Sequence, residues 1–182
     1  ILNFRKMSDL QSKLDLIKSK ESFLEKIKRY IPGYDGYVNR DNARELDTQL
    51  RNKLALSLEA NKTSLKNALN SLTKNKKLFE SQDLDKLDKK NENVIAKLKS
   101  ASRGYSGAFD IVKIKEEKLN QIYEFDNALI SDIEIINNSF NEIESNASAN
   151  TDIKTPVENA SRALDNLISK FDQRELILKE LN

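Results

Sequence analysis

Residues 119–181 read LNQIYEFDNALISDIEIINNSFNEIESNASANTDIKTPVENASRALDNLISKFDQRELILKEL. In the first half, Leu119, Ile122, Asp126, Leu129, Ile133, Ile136, Phe140, Ile143 and Ala147 recur at strictly alternating spacings of three and four. In the second half, Ile153, Val157, Ala160, Leu164, Leu167, Phe171, Arg174, Leu178 and Leu181 do the same. Such spacing puts each set on one stripe of a helix. The polar run from Ser148 to Asp152 between them reads as a turn, after which Thr155 is expected to cap the second helix with Pro156 at its first position. Folding the pair about Asn150 sets Ile143 beside Val157, Phe140 beside Ala160, Ile136 beside Leu164 and Leu129 beside Phe171. The one acidic and one basic stripe residue then also meet: Asp126 lies 24 residues before Asn150 and Arg174 24 residues after it, each ~36 Å along its helix from the turn. An ion pair, buried or half-buried, is expected there, with fixing of the helix register as its main use.

Working outward, the same periodicity predicts three more helices. One runs from about Ser8 to Tyr30 with Leu10, Leu14, Ile17, Leu24, Ile27 and Ile31 on its stripe, and Ile31-Pro32-Gly33 ends it. The next begins near Asn39 or Asp41 and carries Ala43, Leu46, Leu50, Leu54, Leu58, Leu65, Leu69 and Leu72 to about Lys77. A third, capped by Ser81 or Asp83, carries Leu84, Leu87, Val94, Ile95, Leu98 and Ala101 and stops at Gly104; the helix of the opening stretch starts between Asp110 and Glu116. The expected fold is all-α, an elongated antiparallel up-and-down bundle of about five helices with coiled-coil-like seams. Composition agrees: 38% hydrophobic, 33% charged, and only four Gly and two Pro, too few turn formers for a sandwich or barrel. Residues 8–182 are assigned to a single helical domain, and residues 1–7 to an upstream tail or appended remnant ahead of Met7.

The 182 residues contain no Cys and no His. That removes disulfides, thiolate nucleophiles, and both the Cys- and His-based metal centres, including the Glu-x-x-His pairs of di-metal bundles. Basic and acidic residues number 31 and 29 and alternate along the chain, which gives no footprint for nucleic acid. No apolar run approaches the ~20 residues of a membrane span. Neither a P-loop nor a dinucleotide fingerprint is present, so no cofactor is expected. The lysines at Lys74 to Lys77 and Lys89-Lys90 read as solvated faces in preference to a membrane surface.

All four glycines fall in two copies of one pattern, Gly33-Tyr34-Asp35-Gly36 and Gly104-Tyr105-Ser106-Gly107. In an alternating bundle both loops lie at the same pole. The five tyrosines, Tyr30, Tyr34, Tyr37, Tyr105 and Tyr123, all lie in those loops or on adjoining turns. Two uses follow. The rings can plug the bundle's end while the glycines cap helices, or Tyr34, Tyr37, Tyr105 and Phe109 can form an exposed recognition surface on a rigid scaffold.

The stretches Ile31-Pro32-Gly33-Tyr34-Asp35-Gly36-Tyr37 and Arg103-Gly104-Tyr105-Ser106-Gly107-Ala108-Phe109-Asp110-Ile111-Val112-Lys113-Ile114, followed by Glu116-Glu117 and by Tyr123-Glu124-Phe125-Asp126, resemble the signature of an uncharacterised prokaryotic family of small helical proteins. The likeness spans about Leu10 to Asp132. It implies a single helical domain in the cytoplasm and carries no catalytic or binding residues with it.

The functional expectation is a non-enzymatic module that binds protein, another chain or a second copy, through the tyrosine-rich pole. The alternatives are a small-ligand-binding or enzymatic bundle with a pocket near Asp126 and Arg174, and, more weakly, a peripheral membrane or cell-surface domain.

Overall fold

The computed structural model describes residue 18 and residues 22–37, 40–100 and 116–180. These form five helices and no strand. The described part of α1 spans 22–30 and is followed by an irregular strap at 31–37; α2 is Arg40–Lys74, α3 Leu78–Ser100, α4 Glu116–Ser148 and α5 Lys154–Glu180. The expected start of the first helix at Ser8, the end of the third at Gly104, and Leu181 lie outside the described residues.

The stripes make the interior. Leu129, Ile133, Ile136, Phe140, Ile143 and Ala147 of α4 and Ala160, Leu164, Leu167, Phe171 and Leu178 of α5 are buried, together with Leu46, Leu50, Leu54, Leu58 and Leu72 of α2 and Leu84, Leu87, Val94 and Leu98 of α3. Burial of these apolar side chains is the main drive for the four helices to associate. Two gaps in the apolar stripes are filled by asparagine. Asn61 of α2 donates to Asn137 Oδ1 on α4 at 2.8 Å, and fully buried Asn91 of α3 donates to the Leu58 carbonyl at 3.1 Å.

α2 pairs with α3 and α4 with α5, and the two hairpins lie side by side so that α2 also packs on α4 and α3 on α5. Within each hairpin the partners are antiparallel: Arg51 reaches Leu98 while Asn91 reaches Leu58, and Asp126 meets Arg174 while Asp132 meets Lys170. Between hairpins they are parallel, since Asn61 faces Asn137 and Asn67 faces Glu144, just as Lys90 faces Asp165 and Lys97 faces Asp172. α3 and α4, consecutive in the chain, therefore stand at opposite corners. α1 lies over the groove between α2 and α4, with Lys26 Nζ 2.7 Å from Ser131 Oγ and the Tyr30 hydroxyl 3.4 Å from the Lys53 carbonyl.

The hairpin turns are alike. At the first, Lys77 N–H donates to Leu72 O and Lys76 N–H to Thr73 O, with Lys76 at φ 58°; at the second, Thr151 N–H donates to Asn146 O and Asn150 N–H to Ala147 O, with Asn150 at φ 57°. Both are Schellman closures with a left-handed residue just past the helix. Asn150 is the expected turn centre, but the first turn is tighter than the sequence suggests. α2 ends at Lys74 and α3 begins at Leu78, before Ser81 or Asp83, because the closure at Lys76 returns the chain to helix within three residues. α5 likewise begins at Lys154, where the Asp152 carboxylate accepts the Lys154 N–H at 3.3 Å. Thr155 is not its cap, and Pro156 occupies the third position, where an N–H would lack an intrahelical partner anyway.

Candidate functional site

The strap begins with a turn at Ile31-Pro32-Gly33-Tyr34, in which Tyr34 N–H donates to Ile31 O at 3.2 Å and Gly33 has φ 85°. Pro second and a positive-φ Gly third are the chemistry of a type II turn. It delivers Tyr34 and Tyr37 into the end of the bundle. Gly36 is needed where it stands, because its φ is 86° and a Cβ there would lie 2.8 Å from the Tyr123 hydroxyl. That hydroxyl accepts the Tyr37 N–H at 2.9 Å, and the Tyr37 ring stacks on Tyr123 and meets Tyr34 edge-on.

Asp126 and Arg174 face each other as the spacing requires, Arg174 Nε donating to Asp126 Oδ1 at 2.5 Å with both residues 0% exposed. They are part of something larger. The Tyr37 hydroxyl donates to Asp126 Oδ2, and the Tyr34 hydroxyl approaches the same oxygen at 3.5 Å. The rest of the Arg174 fork is used as well, with Nη1 on Asp47 Oδ1 at 2.6 Å and Nη2 on the Tyr37 oxygen at 3.0 Å. Asp47 Oδ2 in turn accepts from Arg51 Nε at 2.8 Å, and Arg51 Nη1 donates to the Leu98 carbonyl at 3.2 Å. That carbonyl lies in the last described turn of α3. Two aspartates and two arginines thus form a buried network touching α2, α3, α4, α5 and the strap, with Glu175 Oε1 a further 3.6 Å from Arg174 Nη1.

Burial pushes the Asp126 carboxyl up from its ordinary value, while Arg174 and the Tyr37 hydroxyl pull it back. Burial also raises Tyr37 and Tyr34 well above the ordinary phenol value, and the Asp126 charge adds to both. The phenols are therefore neutral donors. A planar fork bound on three sides, between carboxylates that are themselves ligated, holds helices in place. It offers no proton to a substrate, because neither Asp126 nor Arg174 has surface to meet one.

Three expectations change here. Tyr34 and Tyr37 are 0% and 3% exposed, so they are not part of an exposed recognition patch; the Tyr37 hydroxyl is taken up by Asp126 and Arg174. The pair Asp126–Arg174 is closed to solvent, so a ligand cannot touch these two side chains as expected. Asp47 and Arg51 were not expected at all, although their i, i+4 spacing beside Leu46 and Leu50 was the available signal. Tyr105, Phe109, Gly104 and Gly107 lie outside the described residues. Among the described residues no three carboxylates gather as metal ligands would, and the space between Asp47 and Asp126 is taken by the Arg174 fork.

Open space occurs elsewhere. A half-open cleft of about 730 Å³ lies between the starts of α3 and α5, at the other end of the bundle, lined by Phe79, Leu87, Ile153 and Val157 among charged neighbours. A smaller one of about 430 Å³ lies between α1 and α4. No family model, curated protein or solved structure matches the chain.

Proposed function

We propose that the chain is a non-enzymatic scaffold and protein-interaction module working in the cytoplasm. What supports this reading is the fate of the polar residues at the tyrosine pole. Their donors and acceptors are spent on one another, which stiffens the bundle and leaves little for chemistry on a substrate. With Tyr34 and Tyr37 acting as the plug, partner recognition passes to Tyr105 and Phe109 of the second Gly-Tyr-x-Gly stretch, the members of the expected surface that lie outside the described residues. The test is affinity capture from native cells with the wild-type chain and with Tyr105→Ser/Phe109→Ser at matched thermal stability. A protein held by the first and lost from the second is the expected result; equal capture by both rejects the assignment.

A further inference from the structure

The end of the bundle opposite the tyrosine pole carries two apolar side chains that the core does not use. Leu78 is 69% and Phe79 83% exposed. The buried stripe of α3, Leu84, Leu87, Asn91, Val94 and Leu98, extrapolates back to Glu80 or Ser81 and then to Lys77, missing both Leu78 and Phe79. Leu78 and Phe79 therefore project from the helix start without a place in the interior.

The turn that presents them is basic. Lys74 and Lys76 are exposed, and Lys77 is half-buried with Nζ 3.5 Å from the Asn150 carbonyl. That contact puts both hairpin turns at one end, where Lys74, Lys76 and Lys77 stand at the turn while Glu80, Asp83, Asp152 and Glu158 are set back along the cleft beside Phe79 with Lys154. The Schellman closure at Lys76 fixes the geometry, so the aromatic and its lysines are presented by a rigid tip.

We propose that this tip docks the protein on an anionic lipid surface, Leu78 and Phe79 entering the headgroup layer and Lys74, Lys76 and Lys77 meeting its negative charge. An apolar wedge with a basic collar is the combination that binds peripherally, each part being too weak alone. Among the described residues no helix is long and apolar enough to cross a membrane, so the contact is interfacial. A second copy is the competing occupant, since Phe79 also lines the cleft between α3 and α5. The lysine collar disfavours it, because two such collars repel each other and an anionic bilayer attracts both. This contact is independent of whether the opposite pole binds protein.

The experiment is co-sedimentation of the full chain with vesicles of phosphatidylglycerol and phosphatidylcholine in equal parts, and with phosphatidylcholine alone, at low salt. Wild type should pellet with the anionic vesicles only. Leu78→Ser/Phe79→Ser should lower the association by about tenfold or more, and Lys74→Gln/Lys76→Gln by about 30-fold, with circular dichroism unchanged because all four side chains are exposed. Phe79→Trp should show a blue-shifted emission on the anionic vesicles. Failure of wild type to pellet, or equal pelleting of the Ser variant, overturns the proposal. So does a concentration-dependent dimer abolished by the Ser variant without vesicle binding, which would assign the tip to a second copy.

Discussion

At the scale of single residues, Asp126 decides most. Asp126→Asn keeps the shape but takes from Arg174 its fully buried counter-charge at a site with no solvent-exposed surface, and removal of one partner from a buried pair typically destabilises by about 3–5 kcal/mol. Urea denaturation should show a loss of that order; one below about 1 kcal/mol would mean the network is not closed to solvent. The tyrosines give a pH dependence with a definite sign. Tyr34 and Tyr37 have folded pKa values above the unfolded 10.0, so their contribution is fully present below pH ~10 and is lost as pH rises beyond it, where only the unfolded chain can release the protons. Phenolate absorbance for these two should appear together with loss of helical circular dichroism, and a Tyr34→Phe/Tyr37→Phe variant should lack that component. Asp126 and Arg174 were legible because a charge on an apolar stripe is conspicuous. Asp47 and Arg51 were not, because Leu46 and Leu50 beside them already satisfy the stripe and hide a polar face one position over. Whether Tyr34 and Tyr37 plug or protrude depends on where Asp126 stands across the groove, which no local pattern carries.

At the scale of elements, the long helices were readable from periodicity and their ends less so. α4 and α5 keep the three-and-four spacing without a break, so their pairing and the turn at Asn150 follow from it. The start of α3 was misplaced because the stretch from Lys74 to Asp85 carries no apolar face, Leu78 and Phe79 falling off the stripe that follows, so that Ser81 or Asp83 looked like the cap. The turn there gives a further expectation. Lys76 holds a left-handed conformation that a Cβ disfavours, so Lys76→Gly should raise stability by about 0.5–1 kcal/mol, the relief of strain outweighing the extra freedom of the unfolded chain. Thermal melting would measure it, and a fall in Tm would show the turn to be relaxed in solution. Asn91 offers a second gain. It is fully buried with Oδ1 unpaired, and Asn91→Leu should stabilise by about 1 kcal/mol while loosening the register between α2 and α3.

At the scale of the whole molecule, the network reaches all four bundle helices and the strap, so none of them leaves without breaking bonds at the others. Unfolding followed by tyrosine fluorescence, which reports the strap, should coincide with unfolding followed by far-ultraviolet circular dichroism; an early fluorescence transition would show the strap to be a separate unit. The arrangement of charges within the network has a kinetic meaning as well. Asp47 with Arg51 belongs to the first hairpin, and Asp126 with Arg174 to the second, so each arginine arrives with a carboxylate partner, while the Arg174–Asp47 bond and the bonds from Tyr37 to Asp126 and Arg174 wait for the halves to meet. A nick between Ser100 and Glu116 should accordingly yield two fragments that find each other again, with Arg174 and Tyr37 together serving as the password.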